Sequence, residues 1–171
     1  MAGGVGWGMQ KTILMIVAVA LVGCASFDPM LVHTEDMDEA LSLARAQGKV
    51  VLVDFTGSDW CPPCQMLRHK VFETRAFKEF AADKLVFLTL DFPRFKPQDP
   101  KVTEANEKLS EKFKVEGYPT VILLDVDGKE FFRPDLEDAI VETDESFKFV
   151  PEKFNEVLKK AIALPKCRIS H

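Results

Sequence analysis

The chain has 171 residues, 47% of them hydrophobic and 29% charged. That is the make-up of one soluble globular domain with a core of its own, and it excludes a disordered chain. A net charge of −5 with no cluster of Lys and Arg excludes a nucleic-acid partner, because phosphate binding draws on grouped cations.

The first element is the apolar run "ILMIVAVALV", Ile13 to Val22, led by Lys11. It is shorter than the roughly 20 residues of a spanning helix and suits the core of a secretory signal. "LVGC", Leu21 to Cys24, resembles the bacterial lipobox, in which a small residue precedes a cysteine that is lipidated and begins the mature chain. The alternatives are a plain signal or a buried helix with an incidental cysteine. Met9 offers a second start, since "MQK" is a tighter basic lead than "MAGGVGWG". The expected division is a signal over 1–23, a lipidated Cys24 and tether over 24–34, a domain over 35–164 and a tail over 165–171. Ala25 and Ser26 follow the cysteine with no Asp in second place, which resembles export to the outer membrane. Outside the cytoplasmic membrane disulfides can persist.

Met37, Ala40, Leu41 and Ala44 predict a helix over Glu35 to Gln47. Asp36 and Glu39 form a candidate capping box, and Gly48 closes the helix. "KVVLVDF", Lys49 to Phe55, reads as a buried strand. Cys61 to Phe72 reads as a helix with Met66, Leu67 and Val71 inward, and a second helical piece runs from Arg75 to Ala82. "LVFLTLDF", Leu85 to Phe92, is a buried strand, and prolines 93, 97 and 100 make the next stretch a loop. A helix is expected over Val102 to Phe113 and a strand over Thr120 to Val126. Asp127–Gly128 is a two-residue hairpin signal into Lys129 to Arg133. The acidic stretch Asp135 to Glu145 reads as loop with at most one helical turn. Pro151 opens a last helix with Phe154, Val157, Leu158 and Ile162 on one face. Two parallel strands joined by a helix, then an antiparallel hairpin, make an α/β mixed sheet with helices on both faces.

The pair Cys61 and Cys64 in "DWCPPC" allows three chemistries. A structural disulfide gains little from closing two intervening residues, because the entropic gain grows with loop length. A zinc site needs two more ligands, and His33, His69, His171 and Cys167 do not stand at ligand spacing. A working thiol–disulfide couple fits best. Cys61 follows a buried strand and opens a helix, where free N–H groups and the helix dipole lower a thiol pKa from about 8.5. Cys64, one turn on, is placed to stay a buried thiol and to resolve the mixed disulfide that Cys61 forms.

"VDF…DWCPPC" followed by "VEGYPTVILL" resembles the thioredoxin superfamily over roughly Glu35 to Leu164. The lead "FTGSDWC" and the insertion "DFPRFKPQDP" look closer to exported bacterial thioredoxin-like proteins. The resemblance implies a thioredoxin fold, disulfide exchange without a bound cofactor or metal, and roles for particular residues. Cys61 matches the nucleophile and Cys64 the resolving cysteine. Trp60 matches the tryptophan that covers the pair and meets partners. Pro119 matches a cis-proline that lets the backbone at Tyr118 pair with an extended substrate. Asp54 matches a buried acid that takes the proton from Cys64.

Some positions depart from the family pattern. Asp54 stands seven residues before Cys61, one more than in thioredoxin itself. Gln65 replaces a common basic residue, and His69 replaces a helix-kinking proline, so a straighter helix is expected. No lysine on the "LVFLTL" strand partners Asp54. Pro62 and Pro63 lack N–H groups and no histidine separates the cysteines, so the Cys61 thiolate gains less stabilisation. That favours a reductase over an oxidase or isomerase.

The expected partners are exported proteins with disulfides or thiols, a membrane electron donor or acceptor, and the periplasm-facing membrane through a lipid anchor. The rival from another class is a scaffold that keeps the fold and holds a partner with the Pro93–Pro100 loop. Cys167 in the tail reads as a cysteine without a role, and His69 as a surface residue.

Overall fold

Every residue of β2, Val50–Thr56, is buried, and this strand organises the domain. The computed structural model describes residues 31–143 and 146–163, so the apolar run, Cys24 and Cys167 lie outside the described residues. β2 pairs in parallel with β3, Leu85–Asp91, on one side and antiparallel with β4, Thr120–Leu124, on the other. β1, Val32–Thr34, and β5, Glu130–Phe132, take the two edges. The sheet order is β1-β3-β2-β4-β5, with β1 parallel to β3 and β5 antiparallel to β4. This is the expected mixed sheet, with an edge strand added where the tether was expected to end.

Alternation along β2 sorts the core into two layers. Val51, Val53 and Phe55 pack with Val86, Leu88 and Leu90 of β3 and with Ala40 and Ala44 of α1, Met37–Gln47. Leu109 and Phe113, at the end of α4, Pro100–Lys112, close that side. Val50 and Leu52 face the other way, against Leu67, Val71, Phe72 and Phe77 and against Phe154 and Leu158 of α5, Pro151–Ile162. The rings of Phe72, Phe77, Phe87 and Phe154 meet at centroid distances between 4.9 and 6.3 Å. Such pairs add about 0.5–1.5 kcal/mol each beyond the area they bury.

Asp36 caps α1 by accepting from the Glu39 N–H at 2.8 Å, and Gly48 ends the helix at φ 62°. The reciprocal half of the capping box does not form, because the Glu39 carboxylate accepts from the Thr34 hydroxyl instead. The helix expected over Cys61 to Phe72 divides into α2, Pro62–Leu67, and a π-helical turn, Arg68–Phe72. The Glu73 N–H donates to the Arg68 carbonyl at 2.9 Å, five residues back. The extra residue in that turn replaces the straighter helix expected around His69, and inserted π turns are one cause of helix bending. Met66, expected inward, is 41% exposed, since Leu67 and Val71, four apart, already share the inward face.

α3 spans Arg75–Ala82. β4 and β5 are joined by five residues, 125–129, not by a two-residue turn. The Asp125 carboxylate accepts from the Asp127 and Lys129 N–H groups, and Gly128 takes φ 75°. The acidic stretch contains a 3-10 turn, Leu136–Ala139, and then β6, Ile140–Thr143, which pairs antiparallel with β7, Ser146–Phe149. A loop was expected there; charge and loop signals hid a hairpin.

Candidate active site

The sheet face under α2 turns polar at the carboxyl ends of its central strands. Val50 and Leu52 give way on the same face to Asp54 and Thr56, and Leu85 and Phe87 of β3 give way to Thr89 and Asp91. The chain leaves β2 at Thr56, makes a tight turn and enters α2 at the cysteine pair. Cys61 is the N-cap of α2, and its sulfur accepts from the Cys64 N–H at 3.2 Å. Pro62 and Pro63 fill the first two helical positions, where they supply no donor. Cys61 and Cys64 are joined by a disulfide with Cα atoms 5.3 Å apart. The two cysteines were expected to differ in exposure. In the disulfide form both are buried, at 3% and 2%.

Trp60 is held in place on several sides. Its indole N–H donates to the Phe92 carbonyl at 2.8 Å. Its ring meets the Tyr118 ring edge-on at 5.9 Å, and the Arg94 guanidinium lies 3.5 Å from its centroid. Below it is Gly57. A Cβ on that residue would lie 2.5 Å from Trp60 Cε2, so the position has room only for glycine. Tyr118 precedes Pro119 through a cis peptide bond, as the resemblance implied, and its ring meets that of Phe92 at a tilt, with centroids 5.0 Å apart. Gln65 reaches back to donate to the Ser58 carbonyl at 3.1 Å.

The segment after β3 is fastened to the turn before the cysteines. The Asp91 carboxylate accepts from the Ser58 N–H at 2.9 Å and from its hydroxyl at 2.7 Å, and pairs with the Lys96 ammonium at 2.8 Å. The Asp91 carbonyl accepts from the side-chain amides of Gln98 and of the buried Asn106. Asp59 accepts from the N–H groups of Arg94, Phe95 and Lys96 at 2.8–3.0 Å. Desolvation raises the Asp59 carboxyl, but those three amides outweigh it and hold it below the usual range.

Asp54 is 5% exposed, and its Oδ1 is buried without a hydrogen-bond partner. Burial is the main cause that pushes its pKa up to about 7, the negative charge of Asp91 adds to it, and Arg68 opposes both. Desolvation also raises Asp91, but the hydrogen bonds from Lys96 and Ser58 win and hold it low. Asp91 is therefore ionised beside an acid that titrates near neutrality. Thr89 stands opposite Asp54 in the register, so the positive charge comes from Arg68 on the π-helical turn rather than from a strand lysine. A cavity of about 740 Å³ opens onto Asp54, Cys64, Arg68 and Asp91 together.

Cys61, Cys64 and Trp60 thus lie on one turn, with Tyr118 against Trp60 and Asp54 on the cavity that reaches Cys64. Cys24 lies outside the described residues. Sequence reasoning passed over Gly57, Ser58, Asp59, Asp91 and Arg94. Only "GSD" just before the motif hinted at a turn; the partners arrive from more than thirty residues away. His69 is exposed and pairs with Glu73 at 2.6 Å.

A five-stranded mixed sheet, a disulfide-bonded CxxC at the head of a helix and a cis-proline before β4 define a thioredoxin fold. A family model described as thioredoxin-like matches residues 32–126, more than half of the chain, and the protein belongs to that family. The chain is 32% identical over 103 residues to the disulfide bond reductase DsbH of Chlamydia pneumoniae, covering 60% of this chain and 62% of that one. It is 33% identical over 98 residues to the thioredoxin-related protein DsbJ of the same organism, covering 57% of this chain and 28% of DsbJ. The chain thus spans less than two thirds of the length of these relatives. A solved structure named DsbH oxidoreductase shares the fold at TM-score 0.65 and 24% identity, covering 94% of this chain and 96% of its own.

Proposed function

We infer that the protein is a thiol–disulfide oxidoreductase acting on cysteine pairs of exported proteins, working as a reductase. The observation that carries this is the Cys61–Cys64 disulfide at the carboxyl end of β2, with Cys64 and the buried Asp54 on one cavity. In the reduced protein the Cys61 thiolate attacks a substrate disulfide. A new S–S bond forms, and one substrate sulfur leaves as thiolate. The Cys64 thiol gives its proton to the Asp54 carboxylate and attacks the Cys61 sulfur. The second substrate sulfur leaves, two electrons have passed to the substrate, and the Cys61–Cys64 disulfide remains. An acid titrating near 7 is suited to accept and release that proton at neutral pH.

The backbone at Tyr118 and Pro119 pairs with the extended substrate, and Trp60 gives it an apolar contact. The absent N–H groups of Pro62 and Pro63 and the likeness to a named disulfide bond reductase support the reductive direction. A membrane donor returns the electrons. The basic lead, the apolar run and "LVGC" support a lipid anchor on Cys24 facing the periplasm, with Ala25 and Ser26 favouring the outer membrane. No helix among the described residues is long and apolar enough to cross a membrane.

The test is reduction of insulin disulfides by the wild-type chain and by Cys61→Ala and Cys64→Ala variants. Both substitutions are expected to abolish turnover, and variants that keep it contradict the reading.

A further inference from the structure

The segment from Asp91 to Lys96 is built as a rigid wall. Its backbone is tied to Thr56 by the Phe92 N–H, to Trp60 through the Phe92 carbonyl, and to Asp59 through three consecutive N–H groups. The Asp91 carboxylate adds two bonds to Ser58. A loop that merely tolerates insertion needs none of this. On this fixed backbone Phe95 stands 81% exposed, the most exposed of the large hydrophobic residues among the described residues. Its own N–H is bound to Asp59, two residues before Cys61, so the backbone that carries the ring is fastened to the turn leading into the cysteine pair. Arg94 lies over Trp60, whose ring also meets Tyr118. Side-chain contacts thus run from Arg94 through Trp60 to Tyr118 at the cis-proline turn, and Phe95 follows Arg94 directly in the chain.

We propose that Phe95 and the Arg94–Trp60 stack form a preorganised wall of the substrate groove, selecting extended polypeptide segments with an apolar side chain next to the reacting cysteine. The inference rests on the thiol–disulfide reading of the site and names the substrates it takes. An aromatic ring held out on a rigid backbone loses little freedom when a partner covers it, and aromatic and Arg side chains dominate contact energies at such surfaces. A small disulfide reaches the sulfurs without touching Phe95. A polypeptide strand lying along Tyr118 and Pro119 also passes the wall.

The experiment uses the full chain carrying Cys64→Ser, with the Cys61→Ser, Cys64→Ser chain as blank. Two peptides are compared, each with its single cysteine activated as a mixed disulfide with thionitrobenzoate, one flanked by phenylalanine and one by glycine. The Cys61 thiolate attacks the peptide sulfur, thionitrobenzoate leaves as the coloured thiolate, and its release gives the rate. The phenylalanine-flanked peptide is expected to react about fivefold faster, the scale of one partly covered apolar contact. That preference disappears in Phe95→Ser and returns in Phe95→Leu; the exposed position makes either change small for stability.

Equal rates before substitution, or a preference that survives Phe95→Ser, overturn the proposal and leave the oxidoreductase reading standing. A Cys61 that reacts with neither peptide overturns both. A chain that is dimeric at the assay concentration and monomeric as Phe95→Ser assigns the ring to self-association and also overturns the proposal.

Discussion

Asp54 and Asp91 line one cavity from adjoining strands, and their hydrogen bonding is opposite: the Asp91 carboxylate has three donors, whereas Oδ1 of Asp54 is buried with none. The satisfied carboxylate keeps its charge, and that charge adds to burial in keeping a proton on its neighbour. Asp54 has no ion pair among the described residues, and a buried acid beside a fixed anion is expensive when ionised. Cys64 lines the same cavity.

Asp54 makes stability fall as pH rises. Its pKa is 3.8 in a model peptide and about 7 in the folded chain, so between those values the folded state holds the extra proton. Stability is lost as pH climbs through that window and stays lost above it, by at most about 4 kcal/mol. Asp54→Asn is expected to stabilise the oxidised protein at pH 8 by about 1–3 kcal/mol, the remainder being offset by unmet amide donors. Urea unfolding at pH 4 should show that gain gone. An equal gain at both pH values would mean that Asp54 does not titrate near neutrality.

Gly57→Ala places a methyl group 2.5 Å from the Trp60 ring. The indole has to move, which breaks its bond to the Phe92 carbonyl and its stack with Arg94. A loss of about 1–3 kcal/mol follows from overpacking. In a Trp7→Phe chain, where Trp60 is the remaining tryptophan, its emission should shift to the red. Unchanged emission would show that the turn relaxes without moving the ring.

Phe154 is fully buried and contacts Phe72 and Phe77, so α5 is tied to the sheet through one aromatic cluster. Phe154→Ala is expected to cost about 3–5 kcal/mol. Below its lowered melting temperature the variant should keep its disulfide-exchange rate, because Phe154 packs with Phe72 and Phe77 and is not among the residues lining the cavity that reaches Cys64. Thermal unfolding and the insulin assay separate the two effects.

Cys24→Ala is expected to move the chain from the membrane fraction to the soluble fraction and to abolish incorporation of a labelled fatty acid. Incorporation that survives the substitution would place the lipid elsewhere.

The buried strands were legible because a run such as "VVLVDF" can only be covered on both faces, and the redox pair because its spacing and its place after a strand admit few chemistries. Phe154 and Leu158 were legible from a period near four. Other features were hidden for physical reasons. β1 is three residues long and exists by pairing with β3. The hairpin β6–β7 lies in a stretch whose charges read as loop. The π-helical turn depends on how Leu67, Val71 and Phe72 pack together, which no local signal encodes. The Asp91 and Asp59 clamps join residues more than thirty positions apart, so their partners become visible only once β2 and β3 lie side by side.

The most direct measurement is the reduction potential of the Cys61–Cys64 couple, by equilibrating the protein against glutathione buffers and counting free thiols. With Pro62 and Pro63 supplying no N–H, the Cys61 thiolate gains little, so a reducing value is expected, about −230 mV or lower, towards thioredoxin at about −270 mV. A value near the about −120 mV of the strongly oxidising catalysts would contradict the account and reverse the direction of electron flow.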